Sequence, residues 1–276
     1  MRVLKILLGL IFISLLTVAT QIGGIVFVIS LFTFGFIDKR FDRRWTRMTT
    51  KVLSFATLYL VFIFVIVPLT AKPFGRVPLP VFETRNLRPA NIWTCILNRN
   101  YTIPALRDIT YKVAKDMNDK YPGATINYLD ANFPFFDKFP LLPHLSHNDG
   151  KKLDLAFQYN DIHTGKMTDE VPSSIGYGVC EEPEAGEENK PEYCDKKGYW
   201  QYNILRKIVS QDNKERFQFD NMRTRDLVNN FASHDGVGKI FIEPHLKIRM
   251  GLTSSKIRFH GCQAVRHDDH IHVQLR

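Results

Sequence analysis

The chain has 276 residues, 45% of them apolar, with nine histidines, four cysteines and a formal net charge of +9. The charge is uneven: residues 1–70 carry eight basic and two acidic side chains, a net of +6, and the rest carry 29 and 26, a net of +3. The basic balance therefore belongs to the amino-terminal quarter. With no Walker loop, dinucleotide fingerprint or basic–aromatic stripe, nucleic acid is excluded as the expected partner.

Val3 to Ile37 is almost continuously apolar, interrupted mainly by Lys5 and by Gln21-Ile22-Gly23-Gly24, and Val52 to Leu69 is a second apolar run. A bilayer core of about 30 Å needs roughly 20 apolar residues as a helix. The first run has length to spare and must tilt or bend, with the glycine pair as the natural place; the second is just long enough. A cleaved signal peptide would be shorter and would lack a second span. The expectation is two transmembrane helices over residues 1–70. Between them, Asp38 to Lys51 holds six basic and two acidic residues, which marks a cytoplasmic loop. That places the amino terminus and everything after Leu69 on the far, periplasmic face of an inner membrane, with Arg2 and Lys5 pulling the other way.

Residues 71–92 are Pro-rich (Pro73, Pro78, Pro80, Pro89) and read as an extended stalk that lifts a domain of residues 93–276 off the membrane. Thr102 to Lys120 carries a helix signal, with Thr102 as N-cap, Pro104 in the first turn, and Leu106, Ile109, Val113 and Met117 at helical spacing. Tyr121-Pro122-Gly123 ends it. Ala124 to Leu129 and Lys151 to Tyr159 read as strands, 200–209 and 223–231 as helices, Lys239 to Ile242 as a short strand, and 263–275 contains the last one. No internal repeat is present. This alternation predicts an α+β domain around a mostly antiparallel central sheet with flanking helices.

All four cysteines, Cys95, Cys180, Cys194 and Cys262, lie after the second apolar run. An even count in an oxidising compartment suggests two disulfides, with three possible connectivities. Cys180–Cys194 would close the acidic segment 181–192, worth about 3 kcal/mol in the chain-entropy model, and Cys95–Cys262 would then tie the entry of the domain to its last strand.

No histidine precedes residue 144, and six of the nine fall within 144–147 and 260–272. In the first cluster His147 and Asp154 are seven apart, with Asn148-Asp149-Gly150 between them, a turn in which glycine permits positive φ, so the chain can leave one strand at His147 and bring Asp154 back along the next. In the second, His270 and His272 are two apart on a strand and share a face. Imidazole, carboxylate and imidazole make three ligands, and catalytic zinc sites use three protein ligands with the fourth position open. A further histidine beside them could take a proton.

The pattern Ser146-His147-x-x-Gly150-x-x-x-Asp154, followed by His270-x-His272, resembles the LAS metallopeptidases, the group of lysostaphin, D-Ala-D-Ala carboxypeptidases and Sonic hedgehog. It is most similar to the penicillin-insensitive murein endopeptidase branch, which pairs a His-x-x-His…Asp element (here His144, His147, Asp154) with a His-x-x-His-x-His element (here His267, His270, His272). Glu243-Pro244-His245 resembles the junction before the final histidines in that branch. The likeness covers roughly residues 95–276. It implies a LAS-like α+β fold and Zn2+ held by His147, Asp154 and His272. His270 would be catalytic base, His144 and His267 would line the site, and the activity would be hydrolysis of peptidoglycan cross-links. The membrane anchor and the long acidic run after Asp154 depart from the branch. Alternatives are a D,D-carboxypeptidase, or a non-catalytic zinc- or peptidoglycan-binding module.

His270 and His272 could exchange roles, and His144 could instead hydrogen-bond a ligand. Asp149, Asp268 and Asp269 read as turn residues, with one of the last two able to orient an imidazole. His163, His234, His245 and His260 read as surface or capping residues, and Trp93 and Trp200 as core.

Overall fold

A computed structural model describes residues 2–276. The first apolar run is not one helix. It forms α1 (Arg2–Thr20) and α2 (Gly23–Arg40), joined at Gln21, whose φ is +66°. The Gly23-Gly24 pair sets this break. A Cβ on Gly24 would lie 2.1 Å from Thr17 Oγ1 and 2.7 Å from the Ile13 carbonyl oxygen, so only glycine lets the two helices approach this closely. Phe12 meets Phe27 edge to face at 4.9 Å, which fixes α1 and α2 as an antiparallel hairpin. Helix α3 (Arg44–Thr70) turns back again, joined to α2 by Thr33–Ser54 at 2.9 Å and by Lys51–Asp38 at 2.7 Å. A π-helical turn at Phe62–Ile66 precedes Pro68, whose missing N–H and bulky ring disrupt the ordinary α-helical ladder.

Among the described residues one helix, Arg44–Thr70, is long and apolar enough to cross a membrane. The expected two spans are thereby corrected: the first run is divided into two shorter helices. The amino-terminal end of α1 lies at the end of the bundle that carries the basic turn.

The expected stalk is also absent. Arg76, Val77, Leu79 and Leu87 are buried, β1 (Val77–Pro78) pairs with β3 (Tyr101–Thr102), and β2 (Leu87–Pro89) joins the central sheet. Pro73 sits in a 3-10 turn, and Pro78 and Pro89 on short edge pairings, where a missing N–H costs little. The domain rests directly on the helices. The Tyr59 hydroxyl donates to the Ile96 carbonyl at 2.7 Å, the Asn98 amide to the Thr20 carbonyl at 3.2 Å, and the Phe135 N–H to Gln21 Oε1 at 2.9 Å.

Within the domain α4 (Ile92–Ile96) is followed by α5 (Pro104–Lys120), with Thr102 in β3 rather than at the helix cap. Then come β4 (Ile126–Tyr128), β5 (Lys152–Leu155), β6 (Tyr159–Asp161) and β7 (Met167–Thr168). Short helices α6 (Lys190–Lys196) and α7 (Ile204–Ile208) precede β8 (Phe217–Phe219) and α8 (Asn221–Ser233). The chain ends with β9 (Val237–Phe241), α9 (Pro244–Arg249), β10 (Ile257–Arg258) and β11 (Ile271–Leu275).

The fold is α+β, with a six-stranded sheet in the order β10-β9-β11-β5-β4-β2 and a smaller antiparallel sheet β7-β6-β8. The large sheet is mixed, not mostly antiparallel: β10 runs parallel to β9, and β2 parallel to β4. Helix α9 lies between β9 and β10, and α4 and α5 between β2 and β4, and such crossovers deliver parallel neighbours. Alternation along the strands sends Leu153, Leu155, Ile271 and Val273 into the core with Leu106 and Val113 of α5 and Leu227 and Phe231 of α8. The same alternation puts Asp154 and His272 on the other face, directly opposite each other in the β5–β11 register.

Candidate metal centre

His147 lies on the irregular loop between β4 and β5 rather than on a strand. Gly150, at φ +77°, turns the loop into β5, and a Cβ there would meet the Arg76 guanidinium at 2.6 Å. His147 Nδ1–H donates to the Ala131 carbonyl at 2.6 Å, which leaves Nε2 with a free lone pair. That Nε2 is 3.2 Å from Asp154 Oδ1 and 3.1 Å from His272 Nδ1, and His272 Nδ1 is 2.8 Å from Asp154 Oδ1. Three donor atoms thus form a triangle close to one face of a zinc tetrahedron, whose donor–donor edges are about 3.4 Å for ligand distances of about 2.0–2.1 Å. All three residues are buried.

A second set overlaps the first. Donor atoms of His144, His147 and Asp154 lie within 4.8 Å of one another, and His144 Nδ1 is 3.2 Å from Asp154 Oδ2. This buried group could bind a metal ion. The same His144 nitrogen is 3.3 Å from Asp130 Oδ2, so the ring is shared between two carboxylates. Asp154 is the one carboxylate within 4.0 Å of His272 among the described residues, and the His272 set is the more compact.

Burial opposes ionisation of Asp154, yet the imidazoles of His147, His270 and His272 hold its carboxyl well below the usual range. Burial pushes His272 down to about 4, so its ring is neutral and able to coordinate at neutral pH. His144 is the opposite case. Burial works against its charge, but hydrogen bonding to Asp130 and Asp154 raises it to about 10.

His270 lies two residues before His272, immediately ahead of β11. Its Nε2 is 3.8 Å from Asp154 Oδ2, and its Nδ1–H is held by Asp269 Oδ1. Asp269 in turn accepts the Gly178 N–H at 2.6 Å. His267 is buried, its ring 4.8 Å from that of His270 and 5.8 Å from that of His272. The six histidine and aspartate positions of the two motifs therefore converge on one cleft of about 610 Å3.

Several residues take places that their sequence context does not suggest. Asp268 and Asp269 are buried instead of solvated turn residues, Asp268 being paired with Arg266. Asp149 does make the expected turn, accepting the Lys151 N–H at 2.9 Å. His245 is buried and bonded to the Glu181 carbonyl, and His260 stacks on Phe241 at 4.0 Å on the cleft wall. His163 is exposed and His234 half-buried. Trp93 and Trp200 are exposed, not core, and Trp200 lines the cleft mouth. Tyr177 and Asp130 carry no motif, yet Tyr177 donates its hydroxyl to Asp154 Oδ2 at 2.9 Å and accepts the Asp130 N–H at 3.0 Å. A signal was present: Gly176 and Gly178 flank this tyrosine, both at positive φ, and the sharp turn drives it inward.

The disulfide is Cys194–Cys262, and Cys95 and Cys180 are buried thiols. This corrects both expected pairings. The acidic segment needs no covalent closure by Cys180, because Arg206 and Arg266 hold Glu182 and Arg249 holds Glu187. Cys95 faces the core, 3.3 Å from the Tyr128 hydroxyl. The bond that does form fastens α6 to the 260–265 wall of the metal cleft. No protein-family model matches the chain, and no curated protein matches it.

Proposed function

We propose that the chain is a zinc-dependent peptidase of the LAS type, cutting peptide cross-links of peptidoglycan from a membrane-anchored position. The single observation that carries this reading is the convergence of His147 Nε2, Asp154 Oδ1 and His272 Nδ1 within 3.2 Å, beside a carboxylate-held His270. The substrate class rests on the likeness of the two histidine motifs to the murein endopeptidase branch.

Zinc at His147, Asp154 and His272 would supply Lewis acidity, activating water at neutral pH and polarising a scissile carbonyl. The chain's own groups do the rest. Asp269 fixes the His270 ring so that Nε2 presents its lone pair to the cleft and can accept a proton, then return it to the departing nitrogen. Asp269 also stabilises the imidazolium formed in between. His144, kept protonated by Asp130 and Asp154, is a donor for developing negative charge on the carbonyl oxygen, a contribution that can reach ~3 kcal/mol.

Among the described residues no lysine or arginine lines the cleft. Apart from His144, which the mechanism assigns to the carbonyl oxygen, the lining offers no cation for a substrate's terminal carboxylate, and this favours the endopeptidase over the D,D-carboxypeptidase. The carboxylate-oriented His270 favours catalysis over a passive binding module.

The basic turn 38–51 and the amino-terminal end of α1 lie at one end of the helices, which by charge is the cytoplasmic end. The domain, with its disulfide, then lies on the periplasmic face.

The test is the full-length protein carrying His270→Ala, assayed on purified cross-linked muropeptides. Turnover is lost and bound zinc is retained. If zinc is lost with activity, His270 is a ligand and the roles are wrong; if unsubstituted protein with zinc leaves every muropeptide intact, the peptidase reading fails.

A further inference from the structure

The loop bearing His144 and His147 is fastened to the membrane-proximal helices at several points. The Phe135 N–H donates to Gln21 Oε1 at the α1–α2 corner. The Phe135 ring packs against the apolar cluster of Ile22, Val26, Ile63, Val67 and Ala71. Buried Arg76 pairs with Asp137 on the same loop. Only a short 3-10 turn, Lys72–Phe74, separates the end of α3 from Arg76.

Around this junction lie exposed aromatic side chains. Phe74 meets Phe135 at 5.1 Å and Phe136 at 5.8 Å, and Phe74 and Phe136 are 46% and 60% exposed. Trp93, 61% exposed, lies three residues before Ile96, which packs against the helix cluster and accepts the Tyr59 hydroxyl. Lys72 and Lys138 flank the rings and are exposed. Aromatic rings beside lysines, just beyond the end of an apolar helix, are the composition of a membrane–water interface. Exposed aromatic area of this kind is costly in bulk water.

We propose that Phe74, Phe136 and Trp93, with Lys72 and Lys138, seat the domain in the headgroup layer of the bilayer, so that the metal centre works at the membrane surface. This rests on α3 crossing the membrane. It goes beyond the peptidase reading by confining the substrate to peptides within reach of the lipid surface, because the loop that carries His144 and His147 is the seated element. The continuity of the rings with α3 favours lipid over a protein partner.

The test uses full-length protein in vesicles of phosphatidylcholine and phosphatidylglycerol containing bromine-labelled lipid. W45F/W200F leaves Trp93 as the sole indole, and F136W in a background of W45F/W93F/W200F places one at position 136. Both indoles are expected to be quenched more by lipid brominated near the headgroup than by lipid brominated near the chain end, and to be shielded from aqueous iodide. Iodide quenching without lipid quenching at both positions would overturn the seat and point to a protein partner instead. As a second arm, F74S/F136S should weaken lipid quenching of Trp93, and unchanged quenching would remove these rings from the proposal. Zinc content, measured on the same samples, separates failure of the seat from failure of the metal centre.

Discussion

Tyr177 and Asp269 govern how the site's two key groups are aimed. The Tyr177 hydroxyl occupies Asp154 Oδ2, leaving Oδ1 for the triangle with His147 and His272. Outer contacts of this kind are worth about 10–100-fold in metal affinity. Tyr177→Phe should therefore weaken zinc binding by that factor in a competition titration with a chelator, and an unchanged affinity would show that Asp154 needs no such restraint. Asp269→Asn should act differently, lowering kcat by about 10²-fold or more through a mis-set His270 tautomer while zinc affinity changes little. A variant that lost zinc in parallel with kcat would make Asp269 part of the metal shell.

At the scale of elements, the acidic segment is clamped rather than loose. Hydrogen bonding to Arg249 holds the Glu187 carboxyl down at about 2, against an ordinary value near 4.5. A depressed carboxyl stabilises the fold fully above its unfolded pKa, and that stability is lost as pH falls through the folded value. Relative to Glu187→Gln, the parent should be more stable at pH 6, and the difference should shrink below about pH 4.5 and vanish near pH 2. Thermal melts across that range check it; a pH-independent difference would place the effect in packing.

The helical hairpin makes its own prediction. Gly24→Ala would force a Cβ to within 2.1 Å of Thr17 Oγ1 and 2.7 Å of the Ile13 carbonyl. It should cost about 1–3 kcal/mol, seen as a lower melting temperature in detergent.

Local spacing is legible in the sequence, whereas contacts between distant segments are not. The two histidine motifs are readable because the spacing along β11 and the Gly150 turn are local facts, and they bring His147, Asp154 and His272 into one triangle. Helices α5 and α8 are readable from periodicity. The break at Gly23-Gly24 is visible as a place to bend, but the return of α1 against α2 depends on which side chains the glycines meet. Cys194–Cys262 spans 68 residues and depends on where α6 lands, which no spacing rule contains. Asp130 and Tyr177 likewise acquire their roles only through the loop packing that surrounds Asp154.

Over the whole molecule, a helical bundle, a mixed sheet and a site loop fastened between them form one connected object, with the candidate metal centre at the junction of loop and sheet. Without an ion, three lone-pair donor atoms face one another within 3.2 Å, so chelation should lower the melting temperature of the full chain. The central claim is that His147, Asp154 and His272 bind the ion while His144 and His270 do not. It is tested most directly by measuring zinc stoichiometry and affinity for the full-length protein and its five single alanine variants at these positions. One zinc per chain is expected in the parent, with affinity lost in His147→Ala, Asp154→Ala and His272→Ala, and stoichiometric zinc kept in His144→Ala and His270→Ala. A parent that binds no zinc stoichiometrically, or a His144→Ala variant that loses it while His272→Ala does not, would contradict the account.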